Sequence, residues 1–97
     1  MSTYWIGRAR MRDMEGYRQY GELVRQASQL YPQQVLARAG RYAQLEGEDV
    51  FDRFVLIRFG SMEEALTYYH SPEYQVAAAI RQAASDRCDL VITEGLY

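Results

Sequence analysis

The chain has 97 residues, a net charge of −2 and 48% hydrophobic residues, a composition typical of one globular domain with a modest core. This charge gives no electrostatic footprint for nucleic acid, and no apolar run approaches the roughly 20 residues of a membrane span. We therefore expect a single domain over residues 1–97 that binds neither nucleic acid nor membranes. Because the first residues lack the apolar stretch of a signal peptide, we also expect a cytoplasmic location.

The first half of the chain reads as strand, helix and strand. Residues 4–11 alternate in polarity, which predicts a strand. Asp13 then offers an N-cap to a helix whose apolar stripe continues until Pro32 ends it. The second strand is predicted from Val35 to Glu46, with a bulge or bend at Gly40.

The second half reads as strand, helix and strand again. Arg53 to Phe59 is the clearest strand. A capping box at Ser61–Glu64 begins a helix, which Ser71-Pro72 interrupts and restarts, and Cys88 to Glu94 is the last strand. The order β-α-β-β-α-β predicts an α+β, ferredoxin-like fold with one four-stranded antiparallel sheet and the helices on one face.

Both faces of the predicted sheet are apolar. One face should meet the helices, and a monomer would leave the opposite face, here called the open face, in water. The open face carries Tyr4, Ile6, Leu36, Phe54, Leu56 and Val91 among Arg8, Arg10, Arg38 and Arg58. Exposed apolar area of this size normally marks an interface, so we predict a homodimer packed through the open face. Glu46 and Glu94 are candidate partners for its arginines, and the alternative is a monomer whose arginine stems cover the apolar groups.

Several short runs resemble a known family. They are Tyr4-Trp5-Ile6, Arg38-Ala39-Gly40, Phe59-Gly60-Ser61, His70-Ser71-Pro72-Glu73-Tyr74 and Arg81-Gln82-Ala83-Ala84. With these runs the chain resembles the domain of unknown function 1330 family, of the dimeric α+β-barrel superfamily, and it departs from the family at Ala39, where a second glycine is common. The resemblance implies a ferredoxin-like fold that pairs as a dimeric barrel. It implies no catalytic residue, because the family has no agreed activity and a fold does not fix a function.

The run around His70 is the candidate site. His70 is the only histidine, it titrates near neutral pH, and it lies at a helix break, where backbone groups can meet a ligand. We predict that it acts as a general base or polar contact in a pocket. Arg38, Tyr69, Tyr74 and Arg81 would bind a small anionic or carbonyl-containing molecule there. The competing interpretation is that His70 only meets the carbonyls at a helix end and that the tyrosines only pack.

We expect no metal or organic cofactor. One cysteine and one histidine do not make the usual zinc site, and phosphate-binding loops and the serine-nucleophile elbow are absent. The small residues predicted to face the helices, Gly7, Ala9, Ala37 and Ala39, would either leave a hollow for a ligand or let the helices pack closely. Two classes of function therefore stay open: a cofactor-free enzyme or binder, and a non-catalytic dimeric structural or interaction module.

Overall fold

The computed structural model describes residues 1–97. Its elements are β1 (Thr3–Met11), α1 (Met14–Ala27), β2 (Gln34–Arg38), β3 (Arg53–Phe59), α2 (Met62–His70), α3 (Pro72–Ala83) and β4 (Ser85–Glu94). All strand pairs are antiparallel, and the sheet order is β2-β3-β1-β4. The helices lie over one face of the sheet, with α1 packed against α3, so the predicted ferredoxin-like fold is confirmed. None of the helices has the length and apolar character needed to cross a membrane.

Two serine caps explain why the second helical segment begins and breaks where it does. The Oγ of Ser61 accepts a hydrogen bond from the Glu64 amide, while the Glu64 carboxylate accepts one from the amide of Gly60, one residue before the cap. The Oγ of Ser71 accepts a hydrogen bond from the Tyr74 amide at 3.1 Å, which starts α3. The predicted break is confirmed, and it divides the segment into α2 and α3.

Two elements are shorter than the sequence predicts. Helix α1 ends at Ala27 rather than at Pro32, because the amide groups of Gln29 and Leu30 donate to carbonyls three residues back and so tighten the last turn. Strand β2 ends at Arg38 rather than at Glu46. Ala39 adopts a left-handed conformation, with φ of 50°, and this turns the chain out of the sheet. The bend therefore occurs at Ala39, one residue before the predicted position.

A β-bulge in β2 changes the face on which Arg38 lies. Leu36 is an extra residue in this strand, so that Ala37 pairs with Leu56 and Arg38 pairs with Val55. Directly opposed residues share a face, and Val55 packs against the core under the helices. The prediction that Arg38 lies on the open face and Ala37 under the helices is therefore wrong, because one inserted residue exchanges the two faces.

The core is a cluster of aromatic side chains between the sheet and the helices. Trp5, Phe59, Tyr68 and Tyr74 are almost fully buried. The ring of Trp5 meets the ring of Tyr74 edge-on at 5.1 Å and lies 5.4 Å from that of Tyr68, separations at which aromatic pairs add to the stability gained by burial. This cluster fixes the positions of the tyrosine hydroxyl groups that face the neighbouring cavity.

Candidate functional site

A cavity of about 100 Å³ lies between α1 and the sheet. Gly7 and Ala9 of β1 form part of its floor, and Trp5 and Val24 belong to its mostly hydrophobic wall. A Cβ atom at Gly7 would lie 2.8 Å from Cγ1 of Val55, so only glycine fits there without a shift of that side chain. Of the two roles that the sequence leaves open for the small residues, the structure supports the hollow for Gly7 and Ala9, whereas Ala37 and Ala39 do not line it.

Arg81 of α3 is the most unusual residue of this cavity. It is only 8% exposed, its Nε has no hydrogen-bond partner, and the four ion pairs of the protein all involve other arginines. The nearest compensation is the ring of Tyr20, whose centre lies 6.0 Å from the guanidinium carbon. A buried charge without a partner is unfavourable, so the Arg81 guanidinium is available to an anion that enters the cavity.

Three tyrosine hydroxyl groups accompany Arg81. Those of Tyr20 and Tyr74 are 3.2 Å apart and share one hydrogen bond, so whichever oxygen accepts keeps its own proton to donate. The hydroxyl group of Tyr68 is buried and forms no hydrogen bond of normal geometry, although the side chain of Gln33 is close enough to oppose the rise in the pKa of this phenol. Burial raises the pKa of all three phenols above the usual value, although Arg81 opposes this for Tyr20 and Tyr74. At neutral pH they are uncharged and can donate hydrogen bonds.

The cavity is positively charged overall. Arg38 and Arg53 line it together with Arg81, and no acidic side chain does. None of these three arginines forms an ion pair. The guanidinium of Arg8 lies on the open face, over Phe51 and paired with Asp89 at 2.8 Å. Such a concentration of cationic and neutral donor groups beside apolar walls suits a small anion with an apolar part.

The structure brings together three of the five residues that the sequence singles out. Arg38, Tyr74 and Arg81 all line the cavity, and Arg38 does so only because of the bulge. Tyr69 does not line it; its ring packs behind the wall, 5.7 Å from that of Tyr74. His70 is exposed.

His70 does not share the cavity with Arg38 and Arg81, contrary to the predicted arrangement. Tyr68 points into the core, and a residue two positions further along a helix lies on the opposite side. The imidazole instead packs edge-on against the ring of Tyr69 at 5.2 Å. A catalytic role for His70 stays a prediction.

Sequence reasoning did not identify Tyr20, Tyr68 and Trp5 as site residues. Tyr20 belongs to the apolar stripe of α1, and aromatic residues at helical spacing are usually packing residues. These side chains do pack, and all three also line the cavity. For the two tyrosines, a hydroxyl group at the tip of a core residue is the only signal that could have found them, and for Trp5 the sequence offers none. No group of three or more histidine, cysteine, aspartate or glutamate side chains is placed to share a metal ion.

The fold is that of the dimeric ferredoxin-like proteins. Residues 2–96 match the family described as Domain of unknown function (DUF1330), and the chain belongs to this family. No curated protein matches the chain.

Solved structures of similar fold cover nearly the whole chain. A protein of unknown function from Rhodopseudomonas palustris is 18% identical with a TM-score of 0.82, and the alignment covers 99% of this chain and 83% of that one. A dimeric ferredoxin-like protein of unknown function from Jannaschia sp. CCS1 is 14% identical with a TM-score of 0.78, over 98% and 100% of the two chains. Hydroxynitrile lyase from Passiflora edulis is 14% identical with a TM-score of 0.69, over 95% and 91%. At these identities the likeness establishes the fold.

Proposed function

We propose that the protein is a homodimer that binds a small organic anion, or a carbonyl-containing molecule that carries an anionic group, in the cavity of each protomer. The observation that carries this proposal is Arg81, a buried guanidinium that faces an apolar cavity and has no acidic partner. A bound anion would supply the missing charge and accept hydrogen bonds from the guanidinium and from the tyrosine hydroxyl groups.

The ionisable groups of the cavity favour binding over proton abstraction. The arginines that line it stay protonated, and burial raises the pKa values of Tyr20, Tyr68 and Tyr74, so none of these groups is a base near neutral pH. An enzyme of this fold that needs a base would have to take it from outside the cavity. The Passiflora neighbour is named as a lyase, which supports the capacity of the fold for catalysis and nothing more specific.

The homodimer is proposed from the open face. Ile6, Leu36 and Val91 are exposed there, and no helix covers them. Phe51 covers only part of this face, under the guanidinium of Arg8 at 4.3 Å. Structural neighbours are described as dimeric ferredoxin-like proteins, and a second copy packed on the open face would bury the remaining apolar side chains. A cytoplasmic location stays a prediction that cell fractionation can test.

A thermal-shift screen against small carboxylates, phosphate esters and neutral amides tests the binding proposal. We expect carboxylates to raise the Tm of the wild type and to have no effect on Arg81→Gln. Arg41→Gln removes the same charge from an exposed position and should respond as the wild type does. If no anion raises the Tm, or if Arg81→Gln responds equally, the proposal fails.

Two further variants separate the cavity from its surroundings. Gly21 lines the cavity, and a Cβ atom there would meet no other atom within 4 Å, so Gly21→Leu should obstruct the ligand while it improves the helix propensity of α1. His70→Ala should leave binding unchanged, since His70 lies outside the cavity. A loss of binding in His70→Ala would restore His70 to the site.

The second candidate function is a non-catalytic interaction module. An apolar groove between α1 and α3, on the outer side of the helices, includes Leu23, Leu30 and Val76, and the last two are well exposed. This interpretation takes precedence if the ligand screen gives no binding.

A further inference from the structure

We infer that the ligand is a short-chain oxo-carboxylate, whose carboxylate meets Arg81 and whose oxo oxygen accepts a hydrogen bond from Tyr68. This inference rests on the proposed function, because it names the class of anion that the same cavity takes.

The size of the cavity limits the chain length of the ligand. Its volume is about 100 Å³, smaller than the roughly 150 Å³ apolar cavity that holds a benzene ring. Scaled from the six carbon atoms of benzene, the enclosed part of the ligand has about four non-hydrogen atoms. A carboxylate takes up three of these atoms, so the chain that carries it must be short.

The unsatisfied polar atoms of the cavity indicate two contact points. The Nε of Arg81 and the hydroxyl group of Tyr68 are both buried without partners, and both residues line the same cavity. Buried polar groups in native proteins are rarely left unpaired, so a pair of them in one cavity indicates a missing partner. A carboxylate satisfies the arginine, and a second acceptor satisfies the tyrosine.

The electrostatic field of the cavity favours an oxo oxygen over a hydroxyl group at the second point. A ligand hydroxyl could also accept a hydrogen bond from Tyr68, but its own proton would then lie in a region that Arg38 and Arg81 make positive. An oxo oxygen has no proton, and its partial negative charge is attracted by the same positive region. Burial keeps the phenol of Tyr68 protonated, since it raises the pKa of this side chain, so Tyr68 enters the contact as a donor.

Calorimetric titration with matched probes tests the inference. Pyruvate and propionate share a three-carbon carboxylate skeleton and differ by the oxo oxygen, lactate replaces it with a hydroxyl group, and inorganic phosphate is an unrelated anion. We expect the wild type to bind pyruvate about three- to tenfold more tightly than propionate, the gain from one neutral hydrogen bond, and more tightly than lactate or phosphate.

Tyr68→Phe should remove the preference for pyruvate and leave propionate binding unchanged. It removes a hydroxyl group that forms no hydrogen bond of normal geometry within the protein, so the variant should fold. Arg81→Gln should weaken both carboxylates at least about 30-fold.

The outcomes separate this inference from the proposed function. The inference is overturned, and anion binding stands, if Tyr68→Phe leaves the pyruvate-to-propionate ratio unchanged while Arg81→Gln weakens both probes. It is overturned in the same way if lactate or phosphate binds best in the wild type, or if pyruvate fails while other anions of the screen raise the Tm. If no anion binds the wild type, both proposals fall together.

Discussion

Replacement of Arg81 by methionine should stabilise the ligand-free protein and abolish its ligand binding. Methionine keeps the length and much of the apolar stem of the arginine, and it removes a guanidinium that is 8% exposed and has no acidic partner. An unsatisfied buried polar group costs about 1–3 kcal/mol, and a charged one more. The cation–π contact with the ring of Tyr20, at 6.0 Å, offsets about 0.5–2 kcal/mol of this cost.

The difference predicts that the free energy of unfolding rises by about 0.5–1 kcal/mol. For a domain of this size such a gain raises the Tm by about 2–8 °C. Urea and thermal unfolding of wild type, Arg81→Met and the exposed control Arg41→Met, at one protein concentration, measure it. The control should stay within about 0.5 kcal/mol of the wild type. If Arg81→Met loses about 1 kcal/mol or more, the guanidinium is already satisfied in the free protein, and the argument for a missing anion is refuted.

Three other predictions follow from the geometry. Ala39→Gly should raise the free energy of unfolding by about 0.5–1 kcal/mol in a urea titration, because Ala39 has a φ of 50° that glycine adopts without strain; a loss of stability would contradict this. Light scattering should find the wild type as a dimer, at twice the 11.3 kDa chain mass. Leu56→Arg should convert this dimer into a monomer, because it adds an unpaired charge to the open face. A monomeric wild type would contradict the proposed dimer. Tyr20, Tyr68 and Tyr74 should ionise well above the other six of the nine tyrosines in a phenolate absorbance titration. Because their pKa values are higher in the folded than in the unfolded state, the stability they contribute is complete below about pH 10 and is lost as the pH rises further. If all nine tyrosines ionise in a single step near their ordinary pKa of about 10, the prediction of three raised pKa values is contradicted.

The strands and caps of this fold follow from local sequence because their signals are local. The run of β-branched and aromatic residues in β3, the Ser61 capping box and the proline after Ser71 each act within a few residues. The strand predicted up to Glu46 is too long, because residue polarity does not reveal a positive φ at a non-glycine residue such as Ala39. The connection from Ala39 to β3 leaves the sheet at that residue.

The site is only partly predictable for a different reason. A one-residue bulge at Leu36 decides whether Arg38 lies on the open face or on the cavity side of the sheet, and sequence periodicity contains no sign of it. His70 stands out in the sequence because it is the only histidine. Its position on the outer side of α2 follows from the burial of Tyr68 in the core. Arg81 is predicted in the site by residue type alone. Its lack of an acidic partner is a tertiary property that only the packed structure contains.

The fluorescence of Trp5 offers the most direct measurement of binding in the cavity. Trp5 is the only tryptophan, it is 1% exposed, and it lines the cavity, so a bound ligand must change its surroundings. Titration with the carboxylate that gives the largest thermal shift should change the emission of the wild type and of Arg41→Gln saturably, and leave Arg81→Gln unchanged. An emission that no anion changes, or that changes equally in Arg81→Gln, would contradict the assignment of this cavity as an anion-binding site.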